Sequence, residues 1–261
     1  MRVLVTNDDG VEAPGLAALA RAVHAAGHDT VVVAPLDERS GAAAAIGALG
    51  PGTRLRVSRP EIPGLHGEEG VEVYGLEGPP ALCVVTARLG AFGEQPDVVV
   101  SGVNRGLNTG RAILHSGTVG AALTGANHGV SGVAVSIAGA DPVHWDTAAG
   151  MAVEALHWLG TAPPRTVVNL NVPDLPLAEV RGVRWAEPAP IGEWHAVVDH
   201  VGADLLELSL ALTRIELPAG SDTALVAAGY AATTLLRGPG AAEWGPVADH
   251  LDRLLPSRAA S

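Results

Sequence analysis

The chain has 261 residues, 48% of them apolar, and a formal net charge of −12 at neutral pH. That length supports one large α/β domain or a domain with an appendage, while the acidic balance argues against sequence-blind binding of a nucleic-acid duplex. No run approaches the roughly 18 apolar residues of a membrane span, and because all 16 basic residues are arginine, any mechanism that needs a lysine ammonium is closed.

The apolar run Val3-Leu4-Val5 predicts a buried strand ending near Thr6, and it stops at Asn7-Asp8-Asp9-Gly10. This early interruption is not the layout of a signal peptide, so the expected location is cytoplasmic. Leu16, Leu19, Ala20 and Val23 recur at helical spacing, with Pro14 in the first turn and Gly27 at the stop. Strands follow at 30–35 and 71–75, with a surface loop between them at 60–70. A helix is predicted at 80–89, carrying the single cysteine, Cys83, as a small buried apolar residue suited to a reducing compartment. A strand at 97–102, a small-residue helix at 118–129, a strand at 132–137, a helix at 147–159 and a strand at 166–173 complete the series. Continuous Val-rich strands alternating with helices predict a parallel sheet covered on both faces.

Near Arg181 the texture changes, dividing the chain into an α/β domain at 1–180 and an extension at 181–261. "GVRWAEP", "HAVVDHV" and "LLELSLALTRIEL" predict an antiparallel β excursion. "SDTALVAAGYAATTLL" predicts a short helix and a returning strand, and "EWGPVADHLDRLLPSRAAS" a marginal helix with a frayed end.

In open parallel sheets ligands bind at the carboxyl ends of the strands. Three polar clusters follow strands here: Asn7 to Gly10, Asp37 to Gly41, and Ser101 to Gly110. Together they offer two carboxylates, a serine hydroxyl and asparagine amides, a hard-oxygen set that suits Mg²⁺, Mn²⁺ or Ca²⁺ better than zinc. A cation also answers a puzzle, since unit charges about 4 Å apart repel by about 4 kcal/mol at an effective dielectric near 20. The plainer alternative is that Asp8 or Asp9 caps the next helix. Ser116-Gly117-Thr118 begins another helix, whose free N–H groups suit a phosphate or, more simply, a serine N-cap. A cation beside an anion cradle suggests metal-assisted hydrolysis of a phosphate monoester. A phosphoryl-sensing receiver domain, which also sets paired aspartates after its first strand, is discounted because it relies on a lysine.

In this order, "VTNDDG…APG", "DERSGA", "SGVNRGLN", "SGTVGAA" and "VVNLNVP" resemble the stationary-phase survival protein SurE family, as does "SDTALVAAGY" further on. The resemblance implies a Rossmann-like core and a metal-dependent phosphatase acting on nucleoside monophosphates. It implies Asp8, Asp9, Ser40 and Asn104 as metal ligands, and Asn108 with Ser116, Gly117 and Thr118 as the phosphate pocket. Asp8, Asp9 and Asn108 become the catalytic candidates, with Asp8 preferred to orient, deprotonate or itself act as the nucleophile. It also implies a homodimer or dimer of dimers exchanging C-terminal elements, and a small phosphorylated substrate with no membrane partner. The chain departs from the family pattern at Ala43, Ala44, Leu82, Arg111, Ala112 and His115. Those departures leave two alternatives: a phosphatase specialised for another phosphorylated metabolite, or a catalytically silent metal- or nucleotide-binding relative.

Overall fold

The computed structural model describes residues 1–62, 65, 70–202 and 204–239. The tail helix expected over residues 243–261, and most of the segment between 63 and 69, lie outside the described residues. Eleven strands and five α-helices are present among them: β1 (Arg2–Thr6), α1 (Pro14–Ala25), β2 (Asp29–Pro35), β3 (Val57–Ser58), β4 (Glu72–Leu76), α2 (Pro80–Arg88), β5 (Val98–Arg105), α3 (Gly117–Asn127), β6 (Ser131–Ile137), α4 (Trp145–Leu159), β7 (Val167–Val172), β8 (Val183–Trp185), β9 (Trp194–Val201), β10 (Leu206–Leu212), α5 (Asp222–Ala227) and β11 (Ala231–Leu236). Short 3-10 turns occupy Gly110–His115 and Leu177–Glu179.

Nine strands form one sheet in the order β3-β4-β2-β1-β5-β6-β7-β11-β8, and β9 with β10 forms a separate hairpin. From β4 to β7 every pairing is parallel; β3 joins β4 antiparallel and β11 joins β7 antiparallel. The fold is thus α/β, mostly parallel, with an antiparallel β extension. The Val-rich strands are apolar on successive residues along most of their length because both faces are covered. Val3 and Val5 point toward α1 and α4, meeting Leu16, Leu19, Val23 and Leu156. Leu4, one residue out of phase, faces the other layer, with Leu82, Cys83 and Val84 of α2. Cys83 is fully buried, and burial pushes its thiol pKa up, as its reading as a small core residue requires.

Two elements differ from expectation. Residues 183–185 do not join the antiparallel hairpin; they add to the main sheet as β8, parallel to β11. The connection from β8 to β11 runs through the hairpin and α5, and a long helix-containing crossover is what parallel neighbours require. Strand β5 also runs on through Arg105 instead of ending at Gly102. Its pairing with β6 breaks between Ser101 and Asn104, where the Gly102–Val103 peptide is cis, and resumes as Asn104↔Ser136. Asn104 therefore stands on a strand end.

The order reverses at β1, which pairs with β2 on one side and β5 on the other, out to Thr6↔Ser101. This is the switch point at which open α/β sheets bind ligands.

Candidate active site

Asp8 and Asp9 leave β1 at that switch point. Asp8 is buried, and the first turn of α3 grips it from 109 residues away: Gly117 N–H donates to its Oδ2 at 3.1 Å and the Thr118 hydroxyl donates to its Oδ1. Burial raises the pKa of Asp8, and these hydrogen bonds oppose the rise without cancelling it. The positive end of the α3 dipole thus serves Asp8, where an N–H pair open to phosphate was one expectation. Ser116 is the N-cap of α3, its Oγ accepting from Val119 N–H at 3.1 Å. Gly117 is obligatory here, since a Cβ would lie 2.7 Å from Asp8 Oδ2.

Asp9 is held more loosely, by one 3.4 Å bond from Arg105 N–H. Its pKa is pushed up to about 6, first by burial and then by the neighbouring Asp8. Neither aspartate caps α1, whose N-cap is Ala13 without a side-chain bond.

Asn104, beside Arg105 at the end of β5, commits its Nδ2 to the carbonyls of Arg105 (3.3 Å) and Gly106 (2.7 Å). Its Oδ1 is left as the acceptor. Asn7, fully buried, uses Nδ2 on the Gly10 carbonyl, and its Oδ1 finds no donor among the described residues.

Ser40 is the member least drawn in. Its loop is tied to the site, since Arg39 N–H donates to the Asp8 carbonyl at 2.7 Å and Ala43 N–H to the His115 carbonyl at 3.3 Å. The same loop lies so close to α3 that a Cβ on Gly120 would sit 2.2 Å from the Ala43 carbonyl oxygen. The Ser40 hydroxyl itself is exposed and donates to Glu38 at 2.9 Å.

Asn108 is anchored by residues that carried no assigned role in the sequence. Its N–H donates to Asn171 Oδ1 at 2.8 Å, its carbonyl accepts from Asn169 and Asn171, and its Nδ2 donates to Ser136 Oγ at 2.8 Å. Asn169 and Asn171 are the buried amides of "VVNLNVP", and polar side chains inside a buried strand are the signal that marks them. Asp222 is the second missed residue. Fully buried, it accepts from Gly110 N–H and Ala189 N–H at 2.8 and 2.9 Å, and so clamps the loop that follows Asn108.

The donors fit a hard divalent cation. Among the described residues no three His, Cys, Asp or Glu side chains gather. The site instead offers two desolvated carboxylates beside amide oxygens, one of them buried and unpartnered. That donor set suits a hard divalent cation held by oxygen. A bound ion would offset both the burial and the repulsion from Asp8 that raise the Asp9 pKa.

Comparison with known proteins agrees with this geometry. A family model described as survival protein SurE matches residues 3–192. A protein named 5'-nucleotidase SurE from Solidesulfovibrio magneticus is 38% identical over 248 residues, 91% of each chain. One of the same name from Alkalilimnicola ehrlichii is 42% identical over 197 residues, 75% of this chain and 70% of its own. The crystal structure of the SurE protein from Aquifex aeolicus superposes with a TM-score of 0.76 at 26% identity, covering 97% of this chain and 99% of that one. With aspartates, asparagines and helix start all arranged around one sheet edge, and with kinship extending over most of its length, this chain belongs to the SurE family.

Proposed function

We propose that this chain is a metal-dependent phosphatase that hydrolyses phosphate monoesters, with nucleoside monophosphates as substrates. The observation that carries the reading is the pair of desolvated, adjacent carboxylates at the switch point, one gripped by a helix N-terminus. Such a pair is costly until a cation joins it. Relatives named 5'-nucleotidase SurE supply the substrate class.

In this reading Asp8, Asp9 and Asn104 hold the ion, and Ser40 completes the set by turning its hydroxyl away from Glu38. When bound, Mg²⁺ or Mn²⁺ supplies charge neutralisation and Lewis-acid polarisation of the phosphoryl oxygens. Asp8, with both oxygens already bonded to α3, is a fixed anchor. Asp9, held by one long bond, adjusts as charge shifts to the leaving oxygen. The Asn108 amide, aimed by Ser136, Asn169 and Asn171, donates to a phosphoryl oxygen, as does the free hydroxyl hydrogen of Ser116. Preorganised donors of this kind are worth about 10²–10³ in rate each. Chemistry falls to residues 1–180, and assembly into dimers to the exposed hairpin β9–β10 within 181–261.

The test is a panel of nucleoside monophosphates, a chromogenic phosphate ester and ribose 5-phosphate, with EDTA and with added metal. Hydrolysis that stops on chelation and returns with Mg²⁺ or Mn²⁺ is expected. Absence of phosphate release from every ester with either ion contradicts the reading.

A further inference from the structure

A second cavity opens against Asp9 on the side away from α3. Its volume is about 230 Å³, and Asp9, Pro14, Gly15, Arg105, Asp141 and Trp145 are among its walls. That is smaller than the roughly 300–1,000 Å³ that drug-sized ligands occupy, so it takes one planar ring with part of a sugar, not a dinucleotide or a peptide.

The backbone of the wall is braced from several sides. The indole of Trp145, at the start of α4, lies so close over Gly15 that a Cβ there would meet its Cζ3 at 2.8 Å, and Arg21 of α1 pairs with Asp146 at 3.3 Å. The loop holding Asp141 and Pro142 is pinned by Asp174, whose carboxylate accepts from Val143 N–H and His144 N–H and bonds the His144 ring at 2.9 Å. Arg105 is held through its own N–H on Asp9. Yet the charged ends of Arg105 and Asp141 form no ion pair with each other or with any described residue within 4.0 Å. Two unpaired charges of opposite sign and a half-buried indole thus converge on a slot with a braced backbone that shares Asp9 with the proposed metal centre.

Resting on the phosphatase reading above, we infer that this slot receives the nucleoside of the substrate. The base lies against Trp145, the Asp141 carboxylate accepts from sugar hydroxyls, and Arg105 faces the phosphate side of the ring. An aromatic platform is tolerant of base identity, because every base has a π-face. Trp145 is therefore a binding residue that selects nucleotides over phosphate esters that lack a base.

The experiment compares AMP with ribose 5-phosphate, which keeps the sugar and phosphate and lacks the base. In the metal-loaded wild type, KM for AMP is expected to lie about tenfold below that for ribose 5-phosphate. Trp145→Leu should raise KM for AMP about tenfold with kcat nearly unchanged and leave ribose 5-phosphate as it was, and Trp145→Tyr should restore the difference. Equal KM values in the wild type, or a loss in Trp145→Leu shared by both esters, overturn the inference. A readout free of turnover is adenosine titrated into the protein in EDTA by calorimetry. Binding weakened about tenfold by Trp145→Leu supports the slot, and no binding to the wild type overturns it. If neither ester is hydrolysed while adenosine still binds through Trp145, the phosphatase reading falls and the slot stands.

Discussion

At the scale of single residues, the two aspartates are not equivalent. Asp8 is an anchored anion, with both oxygens taken by the first turn of α3. Asp9 is a desolvated one whose pKa of about 6 records burial and the charge next door. The stabilisation from protonating Asp9 is complete below its ordinary value of 3.8 and is lost as pH rises through about 6. Asp9→Asn, neutral at every pH, should therefore melt higher than the wild type in EDTA above pH 6, with the gap closing below pH 4. Added Mg²⁺ should reverse the order, raising the melting temperature of the wild type alone; a gap that does not change with pH contradicts the account. Thr118→Val removes the hydroxyl that opposes the rise in the Asp8 pKa, and should weaken Mn²⁺ binding roughly 10–100-fold, the usual effect of losing a group that orients a ligand. Unchanged affinity on calorimetric titration would mean that α3 does not tune the site.

At the scale of elements, the loop that follows Asn108 is held from behind. Gly110 and Ala189 both donate to Asp222, which precedes the rest of α5, and Thr223 Oγ1 donates to Thr109 at 2.8 Å. Asp222→Ala leaves three buried N–H groups, those of Gly110, Ala189 and Thr223, without their acceptor, and hydrogen bonds to a charged group are worth about 1.5–3 kcal/mol. The melting temperature should fall by roughly 5–10 °C, with kcat falling alongside as Asn108 loosens. A fall in stability with kcat intact would separate the clamp from catalysis. This long-range grip is what local pattern could not reveal. Val3 to Val5 and Leu16 to Val23 announce their own strand and helix, because burial on two faces or one stripe writes a period into neighbouring residues. The motif segments likewise gather Asp8, Asp9 and Asn104 at one edge. Which donor serves which acceptor is a matter of partners distant along the chain: α3 for Asp8, β7 for Asn108, α5 for Gly110. The continuation of β5 to Arg105 was hidden for the same reason, since its polar end reads as loop until β6 is present to pair with it.

At the scale of the whole molecule, the hairpin β9–β10 stands apart from the sheet with Val198, Leu206, Leu208, Leu210 and Leu212 all exposed. Apolar residues gathered on one two-stranded ribbon mark a contact surface. Leu208→Glu with Leu210→Glu should convert a dimer to a monomer in sedimentation velocity, whereas a wild type already monomeric removes the reason for those side chains. No helix among the described residues is long and apolar enough to cross a membrane. The molecule reduces to a covered sheet whose one polar edge concentrates carboxylates until they need a partner. That need is tested most directly by titrating Mn²⁺ into the metal-free protein and counting free ion by electron paramagnetic resonance. The account predicts one tight ion per chain, lost in Asp9→Ala; a wild type that binds none, or a variant that binds as well, contradicts it.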